Sequence, residues 1–159
     1  MRNDITATYQ RQVDTIYRVC LSYMKNKTDT EDCVSDTFVK LIRYNPHFND
    51  SEHEKAWLIR AAVTVCKNRL KHWWNKRIND SDIPEASYHD NHDNNKTDIL
   101  EAVRSLPDKY KTVIYLYYYE GYNSVEIANI LKKSQSTIRG YLAQAKIILR
   151  ERLGEDYEE

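Results

Sequence analysis

The stretch SVEIANILKKSQSTIRGYLAQAK, from Ser124 to Lys146, predicts two short helices joined by a tight connection. Ser124 and Ser134 can each cap the N-terminus of one helix. Apolar residues follow at helical spacing, namely Ile127, Ala128, Ile130 and Leu131 in the first helix and Ile138, Leu142, Ala145 and Leu149 in the second. This is the outline of a helix-turn-helix, whose second helix usually lies in the major groove of DNA.

The composition favours helices throughout the chain. The 159 residues include only three glycines and three prolines, which strand-rich folds need for their turns. The hydrophobic content of 41% is enough for a packed core. We therefore predict an all-α protein, with one domain of ordinary size or two small ones.

The cysteines and the apolar runs indicate the compartment. Cys20, Cys33 and Cys66 form no CxxC pair, and their odd count argues against a disulfide framework. Half-buried thiols in a reducing cytosol are the simplest interpretation. The longest aromatic and aliphatic run, VIYLYYY at 113–119, is too short to span a bilayer. We expect a cytoplasmic protein with no membrane insertion, no metal site and no cofactor.

Charge is sorted along the chain although it cancels overall. The chain has 24 basic and 24 acidic residues. Residues 55–77 hold seven basic and no acidic groups, whereas residues 78–98 hold one basic and six acidic groups. A free-standing DNA-binding domain is normally basic overall, so this neutrality needs an explanation. This composition predicts that the acidic segment 78–98 is a solvated linker.

The spacing of apolar residues in the first half of the chain predicts a bundle of three helices. Val13, Ile16, Tyr17, Cys20 and Met24 follow helical spacing in the first. Thr28 and Glu31 can form a capping box that opens the second, in which Val34, Phe38 and Leu41 face inward and which Pro46 ends. The third, from about residue 54 to 77, has an apolar stripe of Ile59, Ala62, Val63, Cys66, Leu70 and Trp73.

The polar side of this third helix carries its basic residues. Arg60, Thr64, Lys67 and Lys71 line that side, close to Trp73 and Trp74. Cations contact phosphates and aromatic rings stack on unpaired bases, so this pattern suits nucleic acid. A solvated basic face with tryptophans in the core is an equally open interpretation of the composition.

The second half begins with an apolar stripe of Leu100, Val103 and Leu106 that ends at Pro107. A helix from about residue 108 to 120 follows, with Val113, Leu116 and Tyr117 inward, and Gly121 ends it. The tyrosine-rich segment YLYYYEGY at 115–122 suits either a partner surface or core packing with exposed hydroxyls.

Four segments together resemble the extracytoplasmic-function group of bacterial RNA polymerase sigma factors. They are TEDCVSDTFVKL (30–41), AWLIRAAVTVCKNRLK (56–71), LPDKYKTVIYLYYYEGYNSVEIANIL (106–131) and STIRGYLAQAK (136–146). The resemblance implies two small helical domains joined by an acidic linker. A region 2-like helical domain would span 1–78, the linker 79–98, a region 4-like helix-turn-helix domain 99–154 and an acidic tail 155–159.

The resemblance also implies site residues and partners. The partners are core RNA polymerase, promoter DNA and an anti-sigma protein. Polymerase-binding positions fall on Asp32, Ser35 and Asp36. Contacts to the promoter −10 element fall on Arg60, Thr64, Lys67, Asn68, Lys71 and Trp73. Contacts to the −35 element fall on Gln135, Ser136, Arg139, Gly140, Tyr141, Ala143, Gln144 and Lys146.

The sequence departs from the family pattern in the turn of the helix-turn-helix. Lys132 stands where a glycine is usual, so either this lysine takes a strained backbone conformation or the turn differs. Family members commonly carry arginines where Tyr141 and Gln144 stand.

Two other classes of function compete with this interpretation. A stand-alone helix-turn-helix regulator would need a dimer to read two half-sites, and it leaves the first half of the chain unexplained. An enzyme is disfavoured because HExxH, GxSxG and glycine-rich phosphate loops are missing from the sequence. The five histidines, at 47, 53, 72, 89 and 92, are better explained as solvated side chains.

Overall fold

The computed structural model describes residues 4–79 and 101–154, with side chains described at 4–76 and 101–154. The regular elements of these ranges are all helical, which confirms the predicted all-α class. The predicted acidic linker lies outside the described residues except for Asn79, the last residue of the third helix. Leu100, His89, His92 and the acidic tail 155–159 also lie outside them.

Three helices form the first half of the chain. They are α1 (Ile5–Tyr23), α2 (Lys27–Tyr44) and α3 (Ser51–Asn79), and each packs against the other two. The core between them contains Ile16, Val19, Leu41, Leu58 and Ile59, all at most 2% exposed. Burial of these aliphatic side chains is the main driving force for assembly of the bundle.

The N-terminus of α2 differs from the prediction. Asn26, not Thr28, is the N-cap, and its side chain accepts a hydrogen bond from the Asp29 amide at 2.7 Å. The predicted Thr28–Glu31 capping box is therefore wrong, because the helix already begins at Lys27. Its end agrees with the prediction: Asn45 takes a left-handed conformation immediately before Pro46.

The second half begins with helical residues 101–104, which we label α4. Helix α5 (Asp108–Ile114) follows and continues as a π-helical segment, Tyr115–Tyr119. In these wider turns the Glu120 backbone N–H donates a hydrogen bond to the Tyr115 carbonyl, five residues earlier. Gly121 ends the segment with φ 77°, in the left-handed region that favours glycine, as predicted.

Helices α6 (Ser124–Leu131) and α7 (Gln135–Leu153) form the predicted helix-turn-helix. Ser134 caps α7 as predicted, but Asn123 caps α6 in place of Ser124. Asn123 and Glu126 form a complete capping box, which places the helix start one residue earlier than predicted. Lys132 adopts the left-handed conformation, φ 59° and ψ 49°, so the strained alternative is the one observed.

Candidate nucleic-acid interface

One face of α3 presents the basic residues to solvent. Leu58, Ile59, Ala62, Val63 and Cys66 are buried against α1 and α2, which turns the opposite side outward. Along that outward side, Thr64, Lys67, Asn68 and Lys71 are exposed, and Arg60 is half-buried. Their spacing of three and four residues aligns them on a single face of the helix. The structure thus brings these predicted positions together.

The predicted place of Trp73 in the apolar stripe is wrong. Trp73 is 48% exposed and Trp74 is 60% exposed. Among the α3 side chains described, up to residue 76, Cys66 is the last that is buried, and residues 71–76 are all exposed, so this part of α3 projects beyond the three-helix core. The two indole rings are therefore exposed on the same projecting part of α3 as Lys71 and Lys76.

A buried polar cluster holds the start of α3 against α1. Glu54 is only 5% exposed. Its carboxylate accepts hydrogen bonds from Thr8 at 3.0 Å, Gln12 at 2.9 Å and Arg11 at 2.8 Å. Burial alone would raise the pKa of Glu54, but these hydrogen bonds and the charge of Arg11 more than offset it and lower the pKa. A charged Glu54 therefore fixes the direction in which α3 leaves the bundle.

The three cysteines meet in the same core. Cys20 from α1, Cys33 from α2 and Cys66 from α3 are fully buried, so the expectation of half-buried thiols is wrong. The pKa of Cys33 is raised by hydrogen bonding with Cys66 and by burial. The pKa of Cys66 is raised by hydrogen bonding with Cys20 and by burial, against a lowering contribution from Cys33. Protonated, buried thiols pack as small apolar groups and are poor nucleophiles.

The outer face of α2 carries the predicted polymerase-binding residues. Asp32, Ser35 and Asp36 are all exposed. Arg69 of α3 reaches across to Asp32 and to Asp29, at 3.1 Å each. Sequence reasoning missed this arginine, because a contact between residues 37 apart leaves no local pattern. Two exposed apolar residues, Val39 and Ile42, extend the same helical face.

The outward side of α7 groups most of the residues predicted to contact the −35 element. Gln135, Ser136, Arg139, Gly140, Ala143 and Gln144 are exposed. A Cβ atom added at Gly140 would meet nothing within 4 Å, so packing does not require glycine there. The Gln135 amide donates to the Ser124 hydroxyl at 3.3 Å and ties the start of α7 to the start of α6. Small and polar side chains leave this surface open to close approach.

Tyr141 and Lys146 are placed differently from the other members of this set. Tyr141 is half-buried and packs edge-on against Tyr110, at 5.7 Å between ring centroids. The Lys146 ammonium lies 5.3 Å from the Tyr117 ring centroid. Tyr141 therefore contacts α5, and Lys146 contacts the tyrosine-rich segment that follows it. A groove of about 580 Å³ runs along this side, lined by Tyr117, Asn123, Ser124, Arg139, Leu142, Ala143, Lys146, Ile147 and Arg150.

Within residues 4–79 and 101–154, no helix combines the length and the apolar character needed to cross a bilayer.

Comparison with known families matches both halves of the chain. The family described as Sigma-70 region 2 matches residues 8–75, and the family described as Sigma-70, region 4 matches residues 96–149. The chain is similar to RNA polymerase sigma factor SigV of Bacillus subtilis (strain 168), with 30% identity over 135 residues. That match covers 84% of this chain and 81% of SigV. The chain is also 28% identical over 150 residues to ECF RNA polymerase sigma factor SigM of the same organism, covering 89% of this chain and 90% of SigM.

Solved structures share the fold. The sigma factor RpoE of Bartonella quintana, crystallised with the anti-sigma factor NepR, aligns with a TM-score of 0.78 and 18% identity, over 96% of this chain and 98% of RpoE. CnrH, solved with the cytosolic domain of CnrY, aligns with a TM-score of 0.67 and 20% identity, over 96% of this chain and 88% of CnrH.

These matches decide between the functions that the sequence left open. Two sigma regions in the correct order account for both halves of the chain, whereas a stand-alone regulator accounts only for the second. They also confirm that the function is not enzymatic. The chain therefore belongs to the extracytoplasmic-function group of the sigma-70 family, the transcription initiation factors that join core RNA polymerase and direct it to specific promoters.

Proposed function

We propose that residues 1–78 recognise the −10 element and dock on the polymerase, and that residues 99–154 recognise the −35 element. The acidic segment 79–98 connects these two domains, and the acidic tail 155–159 follows the second. The single observation that carries this proposal is the exposed row of Thr64, Lys67, Asn68 and Lys71 on α3. A row of this kind follows a nucleic-acid backbone, since each cation replaces counterions at a phosphate.

The proposed −10 site consists of Arg60, Thr64, Lys67, Asn68, Lys71 and Trp73. In the open promoter the lysines contact phosphates of the separated strand, and the exposed Trp73 ring stacks on an unpaired base. Stacking is tolerant of sequence, so base choice falls to the polar side chains of Thr64 and Asn68.

The proposed −35 site consists of Gln135, Ser136, Arg139, Gly140, Tyr141, Ala143, Gln144 and Lys146. Arg139 is the residue in this set best suited to read a base, because its guanidinium can form two hydrogen bonds to guanine in the major groove. Gly140 and Ala143 allow the helix backbone to approach the bases. Tyr141 supports the helix through Tyr110 of α5 and Lys146 through Tyr117, and both reach the DNA backbone at the edge of the site.

The proposed polymerase site consists of Asp32, Ser35 and Asp36 on the exposed face of α2. This arrangement explains how a chain without net charge can act at promoters. The polymerase supplies most of the non-specific phosphate contacts, and the sigma factor needs only a few contacts that read sequence. The acidic segments reduce binding of the free chain to DNA by repulsion.

An anti-sigma protein is a further proposed partner, and the cytoplasm is the proposed compartment. RpoE of Bartonella quintana was solved with the anti-sigma factor NepR, and CnrH with the cytosolic domain of CnrY. The chain acts where core polymerase and promoter DNA are found, which supports a cytoplasmic location.

The test of the −10 proposal is binding of a single-stranded −10 oligonucleotide by the holoenzyme, followed by fluorescence anisotropy over a range of salt concentrations. Lys67→Ala should weaken binding and reduce the salt slope by about 1, as expected for one lost phosphate contact. Lys25→Ala removes the same charge from an exposed position between α1 and α2 and should leave the slope unchanged. Equal slopes for both variants and the parent chain would refute the assignment.

A further inference from the structure

A row of cations follows the groove beside α7. Arg139, Lys146 and Arg150 lie seven and four residues apart, which places them on one face of the helix. Among the described residues that line the groove, these three are cationic and none is acidic. Within the described part of the chain, no hydrogen bond or ion pair engages the guanidinium of Arg139 or of Arg150. The groove therefore suits an anion along its whole length.

An apolar side chain accompanies the cations near the end of α7. Ile147 is 45% exposed and lines the groove next to Lys146. The Lys146 ammonium lies 5.3 Å from the Tyr117 ring centroid, so an aromatic ring faces the same space. An occupant that matches this end of the groove carries carboxylates with an apolar or aromatic group between them.

The proposed contacts with DNA do not account for Arg150. A recognition helix contacts base edges with its N-terminal residues. Arg150 lies 15 residues after Gln135, which is about 22 Å along the helix axis at about 1.5 Å per residue. The far end of the groove is therefore left for a different anion.

The acidic segment 155–159 has the matching chemistry. Its sequence is EDYEE, with four carboxylates around one tyrosine. It follows Gly154, which ends α7 with φ 86° in the left-handed region, so the backbone changes direction at the end of the helix. The segment and the groove are thus joined by a turn and are opposite in charge.

We propose that the acidic segment 155–159 folds back along α7 and occupies this end of the groove, in competition with promoter DNA for Lys146. The inference rests on the proposed function, which places Lys146 at the −35 element. An extended chain advances about 3.3 Å per residue and a helix about 1.5 Å, so each residue of the segment passes about two residues of α7. Asp156 then lies close to the level of Arg150, and Glu158 close to that of Lys146.

The length of the segment limits its reach. Five extended residues span at most about 17 Å. Arg139 lies about 22 Å from Gly154 along the helix axis, so its guanidinium stays free to read a base. The segment therefore weakens DNA binding several-fold through Lys146 and does not block the site.

The first measurement detects the docked segment in the full-length chain by disulfide formation. Glu159→Cys is combined with Ala143→Cys or, as the matched control, with Gln144→Cys. Both positions on α7 are exposed and adjacent, but only Ala143 lines the groove. The loops to be closed are almost equal in length, so an undocked segment cross-links equally to both. We expect cross-linking to position 143 to be several-fold faster under oxidised glutathione, and Arg150→Ala to remove this preference. The native cysteines are buried.

The second measurement is the affinity of the full-length chain for a short DNA duplex of random sequence, followed by fluorescence anisotropy at low salt. One variant neutralises the segment with four substitutions: Glu155→Gln, Asp156→Asn, Glu158→Gln and Glu159→Gln. The control neutralises four exposed carboxylates elsewhere: Asp14→Asn, Glu31→Gln, Glu52→Gln and Glu101→Gln. Both variants gain the same charge, so the control accounts for long-range attraction to DNA.

Neutralising the segment should tighten binding about threefold more than the control does, as expected for the loss of exposed ion pairs. The excess should shrink as the salt concentration rises, because such pairs are screened. Circular dichroism confirms that each variant retains its helices.

Each alternative result has a separate meaning. Equal cross-linking at positions 143 and 144 overturns the docking, and Arg150 then only offsets the dipole of α7. Preferred cross-linking without the excess in DNA affinity overturns the competition for Lys146. Lys146→Ala in the neutralised background reports on the proposed function itself: unchanged DNA affinity there removes Lys146 from the −35 site, whatever the cross-linking shows.

Discussion

Helices α3 and α7 are both proposed to contact promoter DNA, but they are positioned by different means. The direction of α3 depends on Glu54, which is bonded to residues of α1 more than 40 positions earlier in the chain. The start of α7 depends on local features, the Ser134 cap and the left-handed Lys132 between α6 and α7, and its later turns pack on α5 through Tyr110 and Tyr141. The first surface thus depends on a distant tertiary anchor, whereas the start of the second is set by turn chemistry. The two should respond differently to single substitutions.

The largest effect is expected from Glu54→Ala, which breaks the tertiary anchor of α3. Loss of the buried carboxylate leaves Thr8 without its acceptor and Gln12 with only the Ser51 carbonyl at 3.4 Å, and it should lower the free energy of unfolding by about 2–3 kcal/mol. Urea denaturation followed by circular dichroism measures this. Glu52→Ala, an exposed acidic residue in the same first turn, serves as the matched control. Equal stability of both variants would contradict the anchoring role.

The pH dependence of this anchor follows from the lowered pKa of Glu54. Because the folded pKa is below the unfolded one, the contribution is fully present above the unfolded pKa and is lost as pH falls through the folded pKa. The difference in stability between the parent chain and Glu54→Gln should therefore shrink as the solution is acidified. A difference that stays constant down to the acid transition would mean that the charge of Glu54 does not stabilise the fold.

A smaller effect is expected at α7, where Arg139→Ala should leave the fold unchanged and weaken only DNA binding. Loss of a guanidinium that reads a base should cost about 1–3 kcal/mol of promoter binding by the holoenzyme. Random DNA of equal length should lose much less. Arg43→Ala removes an exposed arginine from α2 and should show no sequence-dependent loss. If affinity for promoter and random DNA falls equally, Arg139 is only a phosphate contact.

The exposed face of α2 offers a third comparison. Helix α2 packs in the three-helix bundle, but this face points to solvent. Asp32→Ala combined with Asp36→Ala should weaken binding to core polymerase about fivefold, as expected for exposed ion pairs. Arg69 keeps its contact with Asp29 at 3.1 Å, so the fold should remain intact. Asp14→Ala on α1 is the control for charge. Unchanged affinity of the double variant in a pull-down with core enzyme would count against this site.

The smallest effect, and one of opposite sign, is expected in the turn before α7. Lys132→Gly relieves the left-handed conformation and should raise the free energy of unfolding by about 0.5–1 kcal/mol. A thermal melt measures the gain. Lys133→Gly, one residue later and not in a left-handed conformation, should destabilise instead. A stabilisation by both substitutions would show that the strain at Lys132 is not the cause.

The contrast between local turn chemistry and tertiary contacts also explains what could be predicted from the sequence. The helix-turn-helix was predicted almost to the residue, since caps and apolar spacing are local, and only the cap of α6 moved from Ser124 to Asn123. The Glu54 cluster, the Arg69 bridge and the convergence of three cysteines depend on helices that meet in three dimensions. The exposure of Trp73 was also missed, because its helical spacing continues a buried stripe beyond the point where neighbouring helices cover it.

The most direct test of the two-surface account is run-off transcription with purified core polymerase on a library randomised at both promoter elements. The parent chain, Asn68→Ala and Arg139→Ala are compared on the same library. We expect Asn68→Ala to alter preference at the −10 positions alone and Arg139→Ala to alter preference at the −35 positions alone. A change at the same element in both variants, or at neither, would contradict the account.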